Sequence, residues 1–223
     1  MRKIGLLGGG AWGTSVAHVL SDNGYEVLLW CFEKDVVGAI ASGRMNERYL
    51  PDIYLPSSIV PTDSIAQVFQ ECSIIFEAIP VPHIRTIFEY AQQYINTTHK
   101  FVVLSKGLEN TTLMLPSRII ESVIGCMCDI AVAAGPTFAH ELALKHVTAL
   151  TIAGTDDDFT KEVQELLANC YCRPYSSKDM IGVQCGGAFK NALALGLGIL
   201  DGAGCADNTK AFKIGRASWR ERV

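Results

Sequence analysis

Lys3-Ile4-Gly5-Leu6-Leu7-Gly8-Gly9-Gly10-Ala11-Trp12-Gly13 is the stretch that decides the fold. Ile4, Leu6 and Leu7 read as a short buried strand, and Gly8, Gly10 and Gly13 stand in the G-x-G-x-x-G spacing. From Thr14 onward Val16, Ala17, Val19 and Leu20 recur at helical period. Strand, glycine turn and helix in that order give the motif its meaning, a cradle for a dinucleotide. Gly8 permits the tight turn, Gly10 lets a pyrophosphate approach the backbone, and Gly13 lets the helix pack on the strand. The free N–H groups and the dipole at the helix start favour an anion. Outward from there, Glu26-Val27-Leu28-Leu29-Trp30 is a second strand and completes a βαβ unit. Glu33 lies about where an acidic residue holds an adenosine ribose. Phe32 and Lys34 flank it, so the reading leans to NAD over NADP without fixing the choice.

Further along, the pattern predicts helices over 35–42, 64–71, 84–95, 115–124 and 157–169, and strands over 73–79, 101–104, 130–134, 148–153 and 172–176. Prolines 51, 56 and 61 mark 51–62 as extended and turn-rich. The strand at 73–79 is nearly continuously apolar, as in a parallel sheet buried on both faces. This alternation calls for an α/β fold: a doubly wound, Rossmann-like parallel sheet with right-handed crossovers, over 1–178. From 179 the strand signal disappears. Residues 179–200 are rich in Ala, Leu and Gly, apolar nearly all round, and ask to be buried. They are expected to begin an all-α second domain, 179–212.

Composition narrows the partners. The chain has 223 residues, net charge −4 and 49% hydrophobic residues, a globular balance. Mild acidity argues against nucleic acid or an anionic membrane as partner. The eight cysteines form no C-x-x-C, which suits reduced thiols and a cytoplasmic location. No uninterrupted apolar run approaches ~18 residues, so no membrane span is expected. His140-Glu141 lacks the second histidine of H-E-x-x-H, Leu standing at 144, so no metal site is expected. Ser105 has no G-x-S-x-G around it, which removes the hydrolase elbow.

Two lysines could do chemistry. Lys106 sits where a strand ends, at the mouth where ligands bind in open α/β sheets. Lys190 sits inside the apolar helix, where an ammonium is costly without a task or partner. Desolvation, or a second lysine nearby, would lower its pKa and suit it to proton transfer. Gly135 and Thr137 lie at another strand-to-helix mouth, where N–H groups and a hydroxyl could grip substrate oxygens, or where Thr137 could simply cap the helix that follows.

The end of the chain breaks the pattern. Lys213-Ile214-Gly215-Arg216-Ala217-Ser218-Trp219-Arg220-Glu221-Arg222-Val223 resembles the in-frame translation of a common sequencing-library adapter, so 213–223 is expected to be a non-native tail on a fragment.

Taken together, the chain resembles NAD(P)-dependent glycerol-3-phosphate dehydrogenases of the bacterial type. The resemblance rests on Gly8-Gly9-Gly10-Ala11-Trp12-Gly13-Thr14, Leu29-Trp30-Cys31-Phe32, Asn46 with Tyr49-Leu50-Pro51, Ser105-Lys106-Gly107, Gly135-Pro136-Thr137-Phe138-Ala139 and Gly186-Gly187-Ala188-Phe189-Lys190-Asn191. It implies NAD or NADP as cofactor, dihydroxyacetone phosphate and glycerol 3-phosphate as substrates, a role in glycerophospholipid synthesis, and a homodimer at full length. It implies further that Lys190 handles the proton and that Lys106 touches substrate and cofactor. Gly135, Thr137 and Asn191 would contact substrate. Ala11, Trp12, Phe32 and Ala139 would join Gly8, Gly10 and Gly13 on the dinucleotide. Pro82 departs from the family's common polar residue. The family's carbonyl-side aspartate and phosphate-binding arginine–asparagine pair would lie past Phe212, so the chain as given is expected to be inactive and to expose its apolar helix. Two other readings remain open: a β-hydroxyacid or ketopantoate-type reductase, and a dinucleotide-binding module without catalysis.

Overall fold

The computed structural model describes residues 2–125, 128–209 and 211. The tail expected at 213–223 lies outside the described residues.

One eight-stranded sheet organises the chain. Its strands are β1 (Lys3–Leu7), β2 (Glu26–Trp30), β5 (Ile59–Thr62), β6 (Ile74–Glu77), β7 (Lys100–Val103), β8 (Asp129–Ala134), β9 (Thr148–Gly154) and β10 (Cys172–Ser177). They lie in the order β10-β9-β8-β7-β6-β1-β2-β5. A two-stranded hairpin of β3 (Met45–Asn46) and β4 (Leu50–Tyr54) stands apart from it. The helices are α1 (Ala11–Asp22), α2 (Lys34–Gly43), α3 (Ile65–Glu71), α4 (Val81–Ala91), α5 (Pro116–Ile124), α6 (Ala139–Ala143), α7 (Asp157–Leu167) and α8 (Met180–Gly202).

Side-chain alternation along the strands divides the core. Ile4 and Leu6 face a layer that includes Val16 and Leu20 of α1 and Phe159 and Val163 of α7. Leu7 faces the opposite layer, with Val68 of α3, Ile84 and Phe88 of α4 and Ile120 of α5. Each large apolar side chain buried this way contributes roughly 1.5–3 kcal/mol. The strand order reverses direction between β1 and β6. That switch point, outside the carboxyl ends of both strands, is where a ligand crevice opens in such sheets.

Several expectations need correction. Residues 51–62 are not merely turn-rich: they hold β4 and β5, and β5 pairs in parallel with β2 as the edge strand of the main sheet. Pro61 is tolerated there because an edge strand has one unpaired side. The sheet is also not wholly parallel, since β9 runs antiparallel to β8. Between them α6 is only five residues long, and it packs on α1 through Ser15 Oγ, which donates to the Ala139 carbonyl at 2.7 Å. The chain turns back at that point instead of crossing over, and β10 then pairs in parallel with β9. Thr137 does not cap α6. Phe138 holds the cap position, and no side chain bonds the helix start there.

Helix α8 starts on the sheet and leaves it. Asp179 caps it through Gly182 N at 2.7 Å. Buried Gln184 accepts from Ser117 N at 3.1 Å and donates to Ser117 Oγ at 3.0 Å, tying the first turns to α5. Ile181 in the first turn and, beyond Gln184, Phe189, Leu193, Leu195 and Ile199 are exposed, in line with the expected exposed apolar helix.

Candidate active site

The glycine turn closes over the switch point. Gly8 N donates to the Trp30 carbonyl at 3.0 Å, and Ala78 N donates to the Leu7 carbonyl at 2.8 Å, so the ends of β1, β2 and β6 are laced together. Gly8 has φ +120°, and a Cβ there would stand 2.6 Å from the Ala78 carbonyl oxygen, which rules out any side chain. A Cβ on Gly13 would be driven into the Gly8 carbonyl oxygen and would reach Leu6 Cδ2 at 2.9 Å. Gly10 differs: a Cβ there would meet nothing. The protein itself does not require glycine at position 10, whereas a group approaching from outside would.

Gly10 is also the N-cap of α1, with no side chain capping the helix. The first-turn N–H groups are thus left for an anion, and the partial positive charge of the helix start adds to the attraction. Buried Asn46 holds the turn in place from the hairpin. Its Nδ2 donates to the Gly9 carbonyl at 2.8 Å and to Thr14 Oγ1 at 2.8 Å. Next to the turn lies a cavity of about 540 Å³ lined by Gly8, Gly9, Gly10, Trp30, Phe32, Glu33, Tyr49, Ala78, Ile79, Pro80, His83, Thr86 and Ile87. An open cradle, an uncapped helix and an apolar cavity of this size fit a dinucleotide.

At the other end of the crevice stand the lysines. Lys106 follows β7 and lays its ammonium over the Trp12 ring, 4.7 Å from the centroid. Burial pulls its pKa down from 10.5 to about 8, and the charge of Lys190 adds to the effect. The stem of Lys106 runs past α8, where a Cβ on Gly187 would stand 3.4 Å from Lys106 Cγ. Lys190, one turn on, holds its ammonium 5.9 Å from the centroid of Phe138. Two cations far apart in sequence are therefore brought to one mouth of the sheet, where the charge of one acts on the other.

The remaining expected residues fall around this axis. Ala11 and Trp12 are in the first turn of α1, and Trp12 Nε1 is buried without a hydrogen-bond partner among the described residues. Phe32 is 74% exposed beside the cavity, edge-on to Trp30. Ala139 is tied to α1 through Ser15. Gly135 follows β8, where a Cβ would stand 2.5 Å from the Ala149 carbonyl oxygen. Thr137 is buried, with its N–H on the Gly135 carbonyl at 2.9 Å. Asn191 is exposed on α8 beside Lys190. No group of metal-ligating side chains occurs among the described residues.

Sequence reading missed two features. One is the bond from Tyr49 OH to Glu33 Oε1 at 2.6 Å, which only the hairpin brings about. The other is Glu77, fully buried at the end of β6 within an apolar run. Its oxygens accept from Ile79 N at 2.6 Å and from Ser105 Oγ at 2.7 Å, tying the turn before α4 to the turn that carries Lys106. Burial raises its pKa from 4.5 to about 7, partly offset by those bonds. The folded state therefore holds this proton more tightly than the unfolded chain. The associated stability is full below pH 4.5 and is lost as pH rises through 7, at a cost on the order of 1–3 kcal/mol. Thermal unfolding between pH 5 and 8.5 should show a falling melting temperature that Glu77→Gln flattens; parallel curves for the two proteins would refute this.

Comparison with known proteins agrees with this geometry. A family model described as NAD-dependent glycerol-3-phosphate dehydrogenase N-terminus matches residues 3–160, and its C-terminus counterpart matches 179–219. The latter match runs into the segment read above as foreign. A curated relative from Bacillus velezensis, glycerol-3-phosphate dehydrogenase [NAD(P)+], is 38% identical over 218 residues, covering 97% of this chain and 63% of its own length. The chain thus spans less than two thirds of that relative. The crystal structure of glycerol-3-phosphate dehydrogenase from Coxiella burnetii superposes with TM-score 0.89 at 30% identity, covering 96% of this chain and 66% of that one. The Plasmodium falciparum enzyme gives 0.88 at 25%, covering 94% and 62%. Glycine cradle, paired lysines and these likenesses agree: the chain belongs to the NAD-dependent glycerol-3-phosphate dehydrogenase family.

Proposed function

We propose that this chain is the dinucleotide-binding part, with the opening of the substrate domain, of an enzyme that reduces dihydroxyacetone phosphate to sn-glycerol 3-phosphate. The observation that carries this reading is the meeting of Lys106 and Lys190 beside the glycine cradle. A module that only stored dinucleotide would have no use for two lysines whose charges act on each other beside the cradle. A nicotinamide held in this cradle would supply a hydride to the carbonyl carbon. Lys190 Nζ gives a proton to the carbonyl oxygen as negative charge develops there, and takes it back in the reverse direction. Lys106, Gly135, Thr137 and Asn191 orient the substrate oxygens. Gly8, Gly10, Ala11, Trp12, Gly13, Phe32 and Ala139 hold NAD or NADP.

The same reading extends to the surroundings. Helix α8 is long and apolar enough to cross a membrane by length and composition alone. Its first turns are bonded to α5 through Gln184, and its middle carries Lys190 to the crevice, so we assign it to a helical domain in a cytoplasmic enzyme with no membrane span. The apolar side chains along its outer side suit burial by the rest of that domain and by a second subunit in a homodimer. A domain boundary at 179 completes the proposal.

The 223-residue chain should bind NADH and show little or no turnover, because a substrate phosphate without its cation loses a charge-assisted contact. The chain continued through the full helical domain should reduce dihydroxyacetone phosphate and leave unphosphorylated dihydroxyacetone nearly untouched. Robust turnover by the 223-residue chain would refute the first expectation. Preference of the continued protein for an unphosphorylated hydroxyacid would refute the second.

A further inference from the structure

We propose that Glu33, held by Tyr49, makes this chain select NAD over NADP; the inference rests on the dinucleotide reading above and goes further by naming the selecting group. Glu33 stands at the end of β2 and in the N-cap position of α2, yet its side chain caps nothing. Its carboxylate instead takes the Tyr49 hydroxyl at 2.6 Å, and both residues line the cavity that begins at the glycine turn. Tyr49 is itself fixed. Its N–H donates to Asn46 Oδ1 at 3.3 Å, and Asn46 Nδ2 grips the Gly9 carbonyl at 2.8 Å. One hairpin therefore sets the position of the carboxylate relative to the pyrophosphate cradle. Glu33 pushes the Tyr49 hydroxyl above its ordinary pKa, so Tyr49 remains a donor throughout the neutral range.

A single tyrosine bond leaves the second carboxylate oxygen of Glu33 without a partner among the described residues. An acceptor at that place in the fold suits ribose hydroxyls and repels a 2′-phosphate. A 2′-phosphate would need a cation in its place. The two cations nearby in sequence reach other surface groups: exposed Lys34 lies 3.9 Å from Asp63, and exposed Arg48 lies 3.2 Å from Asp35 with its guanidinium over the Tyr49 ring. Neither lines the cavity.

The test measures binding, not turnover, on the 223-residue chain. Titration calorimetry with NADH, NADPH, 5′-AMP and 2′,5′-ADP compares each ligand with and without the extra phosphate. The adenosine fragments probe the end of the cavity remote from α8. Wild type should bind the unphosphorylated member of each pair at least about tenfold more tightly. Glu33→Gln should shrink that ratio to about threefold or less, and Tyr49→Phe should shrink it partway, with melting temperatures little changed. Equal affinities in wild type, or a ratio unmoved by Glu33→Gln, would overturn the selectivity. Failure of all four ligands to bind would overturn the dinucleotide site and this proposal with it.

Discussion

Gly13→Ala is expected to abolish dinucleotide binding and to lower stability by about 3 kcal/mol, at the upper end of overpacking costs. The added methyl has no room. It would be forced into the Gly8 carbonyl oxygen, with Leu6 Cδ2 at 2.9 Å and Ala78 Cβ at 3.2 Å on its other sides. Two of these three obstacles cannot be relieved by turning a side chain. Gly8 is pinned by its bond to Trp30, and Ala78 by its bond to Leu7. Helix α1 must then move off β1, carrying with it the first-turn N–H groups that face the pyrophosphate. Gly10→Ala is the control. Its methyl meets no protein atom, so it should leave the melting temperature nearly unchanged and still weaken NADH binding. Chemical denaturation and NADH titration of both variants check this. A Gly13→Ala protein as stable as wild type, or a Gly10→Ala protein that binds NADH normally, would contradict the account.

Lys190→Met, in the protein carrying its complete helical domain, is expected to lower kcat by about 10²–10⁴-fold, the usual range for loss of a proton-transfer group. NADH affinity should change by no more than about threefold, because the role proposed for Lys190 is at the substrate carbonyl and not on the dinucleotide. Lys190→Arg should not restore turnover, since a guanidinium keeps its proton. The substitution to Met should also move Lys106. The positive charge of Lys190 is one of two causes that hold the Lys106 pKa near 8, so its removal should shift the Lys106 titration upward. Residual turnover within about tenfold of wild type, or an unmoved Lys106, would remove Lys190 from the role assigned to it.

The parts of the fold that sequence made legible are those where one interaction dominates. The glycine spacing at 8, 10 and 13 and the apolar run around β6 leave few alternatives, and both stand in the structure as read. Lys190 could be picked out because an ammonium on an apolar helix is anomalous on its own, and Lys106 because it follows a strand end at the mouth of the sheet. What stayed hidden depends on partners distant in sequence. Prolines disguised β4 and β5, since only pairing with β2 shows that Pro61 sits on an edge. The reversal at β9 follows from a short helix docking on α1, a tertiary contact without a local signature. Glu77 was concealed within a strand whose burial is correct, and the partners that tolerate its carboxylate come from two other turns. Glu33 had a visible position, but Tyr49 had to be brought to it by a hairpin.

Helix α8 behaves mechanically as a cantilever. Gln184, bonded to Ser117, clamps one end, Lys190 rides just past the clamp, and the span beyond carries exposed apolar side chains at Leu193, Leu195 and Ile199. Any body that settles on the free span stiffens the beam and narrows the arc swept by the Lys190 ammonium. If Lys190 has the role proposed for it, assembly of a helical domain and precision of proton delivery would be one mechanical event, and motion of the Lys190 side chain measured by relaxation should fall in step with burial of Leu195 and Ile199.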